Sequence, residues 1–373
     1  MSSNSSTSSS ETAAVAVASD REFSRLETAP RRRLPVAAIG LVCTVIIVEI
    51  FLSTRVGWFA DQAAWQWREK KRVVDSGQLN GDVAVIGTSV LFHAIDAEEV
   101  NRLTKSPLTV TNLALNGMAL HAQTQMLEDL LSQSAAPTAD PETSTGRIQH
   151  VLLELRHAVV EKKNWVSGPY FRQWARYSQF SKSGFMWFEP SQSFSFAANR
   201  SLTSFAYRRS IDNFILDSGL SRGLTVDVLT RNREVSEEIE KSRGFCKASG
   251  GAGLTDSDVP APQPRPWETN HAGLVWLHRL LALCEDHDIR VTLLQPPVPQ
   301  FVQHDRDASQ FDDDFRAFAS KLQQRYPKTV AGIWAPSGYQ LSCFSDDHHL
   351  SYVGAERLTR DLAAWLDKAK PTP

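Results

Sequence analysis

Asp82-Val-Ala-Val-Ile-Gly-Thr-Ser89 decides how this chain is read. Val83 to Ile86 is an unbroken apolar run rich in β-branched residues. That is the pattern of a strand covered on both faces in a parallel sheet. Gly87 permits a tight strand-to-helix turn, and the turn delivers a hydroxyl to the open end of the sheet. Open parallel sheets collect their chemistry beyond the carboxyl ends of the strands, so Ser89 is a candidate nucleophile. A serine there is equally suited to cap a helix by accepting one of its N–H groups, and this stretch alone leaves both roles open.

The same alternation continues along the chain. Further strands are expected at 108–113, 151–155 (VLLEL), 290–294 (RVTLL) and 329–334. Amphipathic helices are expected at 118–131, 272–283, 311–325 and 353–366. Strand alternating with helix predicts an α/β fold with a parallel sheet between helices. Residues 134–146, rich in Pro, Ser, Thr and Asp, read as a surface loop.

Between the third strand and its helix an insertion of about a hundred residues, at 156–264, interrupts the pattern. Residues 165–214 hold 14 of the chain's 34 aromatic residues, where an even spread would give about 5. Either a small helical subdomain buries these rings in its own core, or they form a lid or docking surface.

The start of the chain is unlike the rest. Seven of the first ten residues are Ser, and the tail to residue 33 has too little apolar surface to offset the entropy of ordering. Arg31, Arg32 and Arg33 then precede an apolar run at 34–53, long enough for a helix to cross about 30 Å of hydrocarbon. The arginines place the N-terminal side in the cytoplasm and the remainder outside, in the periplasm of a double-membraned cell. Ser-Thr-Arg-Val-Gly after Leu52 contains no Ala-x-Ala cleavage site, so an uncleaved anchor is expected, with residues 54–80 as a linker to a domain over 81–373.

Composition excludes several classes. A formal net charge of −2 supplies no basic field for phosphate binding, so nucleic acid is not an expected partner. Four cysteines without close pairing fit neither a zinc framework nor a disulfide scaffold. In an exported domain Cys246 and Cys343 are the expected pair among Cys246, Cys284 and Cys343, with three unpaired thiols as the alternative.

Two further stretches carry chemistry. Asn112-Leu-Ala-Leu-Asn116-Gly117 ends the second strand, and its glycine can present an N–H to developing negative charge or simply make a turn. Asp346-Asp-His-His349-Leu-Ser351 precedes the last helix. A carboxylate three residues before a histidine can hold the imidazole tautomer that makes it a base for a serine. The same residues could instead form a solvated polar loop or bind a metal.

Together these elements resemble the SGNH (GDSL-like) hydrolase superfamily over residues 81–367, the insertion excluded. The resemblance rests on Gly87-Thr88-Ser89 where the family has Gly-Asp-Ser, on Asn112 to Gly117, and on Asp346-x-x-His349 followed by a helix. It implies a flavodoxin-like three-layer fold with Ser89 as nucleophile, His349 as base and Asp346 as its orienting acid. It also implies an oxyanion hole formed by the Ser89 and Gly117 N–H groups, with no cofactor and no metal.

The family's third block supplies an asparagine to that hole. Here the strand continues as Glu154-Leu-Arg156-His157, which makes Arg156 or His157 the substitute donor. With its anchor, the chain is most similar to the membrane-anchored branch that includes teichoic-acid D-alanylation and alginate O-acetylation proteins. That similarity implies an acyl ester donor, a glycan acceptor, the membrane and a membrane acyltransferase as partners. The chemistry implied is ester hydrolysis or O-acyl transfer, and the alternative is a tethered binding or assembly module with a decayed site.

Overall fold

In the computed structural model, residues 36–105, 107–134, 148–155, 190–216, 224–247, 253–255, 258, 266–269 and 271–368 are described. Two compact units divide the chain, residues 1–50 and 51–373.

Helix α1 (Val36–Thr54) carries apolar side chains on every side, has no buried residue, and is long and apolar enough to cross a membrane. It coincides with the expected anchor to within two residues at its start.

Past a short 3-10 turn at Val56–Trp58, the second unit begins with α2 (Gln62–Asp75), capped by the Asp61 carboxylate accepting from the Ala64 N–H. Then come β1 (Val83–Ile86), α3 (Ser89–Phe92), α4 (Ala97–Leu103), β2 (Val110–Asn112), α5 (Leu120–Ser134) and β3 (His150–Glu154). The insertion contributes α6 (Pro190–Ser201), α7 (Thr203–Ala206), α8 (Arg208–Leu216) and α9 (Leu224–Lys241). The chain closes with α10 (His271–Asp286), β4 (Arg290–Leu294), α11 (Gln300–Ala308), α12 (Phe311–Arg325), β5 (Val330–Trp334) and α13 (Tyr352–Lys368).

The five strands form one wholly parallel sheet in the order β2-β1-β3-β4-β5. Every residue of β1 and β2 is buried, whereas in the edge strand β5 only Val330 is buried and the following positions alternate exposed with half-buried. Right-handed crossovers put a helix that leads leftward in this order and helices that lead rightward on opposite faces. Accordingly α4 packs with α13, while α5 packs with α10. The direction of winding reverses between β1 and β3, and the crevice outside their carboxyl ends is where such sheets bind ligands.

Two expectations are corrected. Residues 54–80 are not a linker. Trp67, Val73 and Val74 of α2 are fully buried in the main core, and α2 packs on α5 and α9. The segment reads as linker because α2 carries four basic residues among its fourteen, yet Lys70 is itself buried.

Cys246 and Cys343 are not bridged; all four cysteines are free thiols. Cys246 Sγ lies instead 3.3 Å from the Glu238 carboxylate and 3.5 Å from Gln66 Nε2. Burial and the adjacent Glu238 carboxylate push this thiol up to about 12.

The described part of the insertion does not keep a core of its own. Ala206 and Tyr207 join Val56, Phe59, Ala60 and Ala64 in a small cluster, and Val235 and Ile239 of α9 enter the main core. Residues 156–189, with Arg156, His157 and most of the aromatic run, lie outside the described residues, as does the tail at 1–33.

Candidate active site

Glycine at 87 is required by what stands opposite it. Glu154 ends β3, the strand beside β1, and its side chain crosses the crevice. A methyl group at 87 would overlap the Glu154 carboxylate and come within 2.8 Å of the Leu91 side chain. In the space left by the missing side chain, Glu154 accepts the Thr88 N–H at 2.6 Å and the Thr88 hydroxyl at 2.9 Å. Thr88 in turn is the N-cap of α3, its Oγ1 accepting from the Val90 N–H. The capping role open to Ser89 is thus taken by its neighbour, and the Ser89 hydroxyl is left to project from the first helical position.

That hydroxyl meets the C-terminal loop. An antiparallel bridge between buried Phe344 and Leu350 pinches residues 344–350 into a tight loop. Ser351 N–H donates to the Cys343 carbonyl at 2.9 Å and Ser345 N–H to the His349 carbonyl at 2.9 Å. The polar residues Asp346 to His349 project from it. Asp346 Oδ1 accepts the N–H groups of His348 (2.9 Å) and His349 (2.6 Å), while Oδ2 lies 2.7 Å from His349 Nδ1. His349 Nε2 lies 2.8 Å from Ser89 Oγ.

Residues 260 positions apart are therefore joined in a continuous Ser-His-Asp chain of hydrogen bonds. Burial alone would raise the Asp346 carboxyl. The His349 ring and the two backbone N–H groups override it and hold the group well below the usual carboxylate range. An ionised carboxylate only accepts, so His349 Nδ1 carries the proton, and the Nε2 lone pair faces the serine O–H.

Asn112 and Asn116 do different work from each other. Asn112 is fully buried. Its amide donates to the carbonyls of Leu91 (3.0 Å) and Ile95 (2.7 Å), pinning the stretch after Ser89 to the end of β2. Asn116 and Gly117 form the turn beyond. Leu115 N–H donates to the Gly87 carbonyl at 3.2 Å, which fastens that turn beside the one bearing Ser89. Gly117 has φ +61° and is exposed, with no atom within 4 Å of where a side chain would stand. Among the described residues neither the Ser89 N–H nor the Gly117 N–H has an acceptor. The other two expected donors, Arg156 and His157, lie outside the described residues.

Sequence reading missed the contribution of α2. Lys70 donates to the Asn112 carbonyl at 2.6 Å and to the Gly244 carbonyl, and its ammonium lies 4.9 Å from the centre of the Phe92 ring. Burial pushes it well below the ordinary lysine value. A run of Arg, Glu and Lys gives no sign of which member turns inward.

Asp346, His348 and His349 also offer three metal-ligand atoms within 4.8 Å of one another. Both ring nitrogens of His349 are already engaged, so a cation there would have to displace Asp346 or Ser89 from its hydrogen bond. No known family model matches the sequence, and no curated protein matches it.

Proposed function

We propose that this chain is a membrane-anchored, extracytoplasmic serine esterase or O-acyltransferase of the SGNH type, acting on ester groups of cell-envelope or exported polysaccharide. The observation that carries the reading is the Ser89–His349–Asp346 hydrogen-bond chain, at 2.8 and 2.7 Å. The strand order 2-1-3-4-5, which is that of flavodoxin-like folds, supports it.

In the first half-reaction Ser89 Oγ bonds to the acyl carbon as His349 Nε2 takes the hydroxyl proton. The negative charge on the carbonyl oxygen is met by the Ser89 and Gly117 N–H groups. The donor's C–O bond then breaks, and His349 returns the proton to the departing alkoxide. In the second half-reaction an acceptor hydroxyl repeats these steps on the acyl-serine. Water as acceptor gives an esterase, and a sugar hydroxyl gives a transferase. The apolar helix α1 would tether the domain, with the three arginines before it on the cytoplasmic side.

The test uses the full chain in detergent. A fluorophosphonate is expected to label Ser89, p-nitrophenyl acetate to be cleaved, and Ser89→Ala to abolish both; chelation with EDTA should change neither. No adduct and no cleavage would leave a binding or assembly module as the better reading. Mass spectrometry of an oligosaccharide incubated with an acyl donor then separates the two enzymes, because only transfer adds acyl mass to the sugar.

A further inference from the structure

The Asn116–Gly117 peptide is held from below by a residue that has no place in the triad. Trp67 of α2 is fully buried, and its indole N–H donates to the Asn116 carbonyl at 2.8 Å. Across a trans peptide the C=O and N–H point in opposite directions. Drawing the Asn116 carbonyl down to a buried indole therefore turns the Gly117 N–H up and outward, into the open space above Gly117.

The Asn116 side chain is held as well. Its Nδ2 donates to Gln66 Oε1 at 2.5 Å, and its Oδ1 lies 3.0 Å from Nε2 of His93, one helical turn after Ser89. Gln66 and Trp67 are consecutive residues of α2, so a single helix grips both the backbone and the side chain of this turn. A turn with φ +61° at its glycine could rock about that peptide; these contacts remove the freedom.

We propose that Trp67 is a positioning residue of the reaction, whose indole N–H aims the Gly117 N–H at the oxyanion. The inference rests on the serine-ester reading above and adds to it that the helix directly after α1 sets the geometry of the oxyanion hole.

The test replaces Trp67 in the full chain with 3-benzothienylalanine, which keeps the ring's shape and puts sulfur where the N–H was. Outright loss of an oxyanion donor costs about 10²–10³-fold in kcat. Misaiming one should cost on the order of 10- to 100-fold in kcat on p-nitrophenyl acetate, with KM within about twofold. Affinity for an arylboronic acid, which forms a tetrahedral anion on Ser89, should fall by a similar factor.

An unchanged kcat and boronate affinity, with or without a lower melting temperature, would assign Trp67 to the core alone and overturn the proposal. Should that variant not fold, Trp67→Phe, which also removes the N–H, is expected to lower kcat and boronate affinity together by about tenfold or more; no change in either would also overturn it. If the unsubstituted chain neither binds the boronate nor cleaves the ester, the serine reading itself has failed, and that is visible before any variant is compared.

Discussion

In the proposed reaction His349 can serve Ser89 only while Asp346 holds its ring, and Asp346 does so with both oxygens, one on the ring N–H and one on two backbone N–H groups. Asp346→Asn keeps the shape but permits the wrong tautomer, and kcat on p-nitrophenyl acetate is expected to fall about 10⁴-fold. Stability should report the same carboxylate. Its folded pKa is depressed, so its contribution is fully present above the unfolded value near 3.9 and is lost as pH falls through the lower folded value. The gap in thermal midpoint between wild type and Asp346→Asn should therefore be constant from pH 7 to about 5 and close below about 4. A gap as wide at pH 2.5 as at pH 7 would contradict the assignment.

At the scale of elements, the strands were readable because parallel strands buried on both faces are written as plain apolar runs. VAVI and RVTLL need no context to be recognised. The hydrogen-bonded set of Ser89, His349 and Asp346 was readable because Gly-x-Ser and Asp-x-x-His occur together in one chain, each at the end of an element, although either alone has other uses. Helix α2 was not readable, because its inward side includes Gln66, Trp67 and Lys70, whose polar partners lie more than 40 residues away in the sequence.

The packing of α2 on α9 has the same character. Trp65 Nε1 donates to the Asn232 carbonyl at 2.7 Å, and the buried Asn232 amide donates to the Gly57 carbonyl at 3.1 Å. Asn232→Leu leaves that carbonyl without its donor and should cost about 1–3 kcal/mol in urea unfolding. A variant as stable as wild type would show that water replaces the lost bond.

For the molecule as a whole, acid is the condition to which the domain should be most sensitive. Burial pushes His121 and His150 down to about 4, against about 6.5 in an unfolded chain. Between those values the unfolded chain binds protons that the folded chain refuses, so stability falls as pH drops through that window and levels off below it. The thermal midpoint should decline from pH 7 to 4.5, and His150→Gln should flatten the decline. A level profile in wild type would sink the prediction.

The junction between the apolar helix and the domain gives the place of a proteolytic cut unusual weight. Cleavage at exposed Thr54–Arg55 releases a domain that still contains α2, with the indole and the lysine that grip Asn116 and Asn112. Cleavage only some twenty residues later, at Gly77–Gln78, severs α2 from the strand that bears the serine. The piece released there keeps Ser89, His349 and Asp346 while no longer being joined to the helix that supports them. Shedding at the first point should yield an active soluble form, and shedding at the second an inactive one.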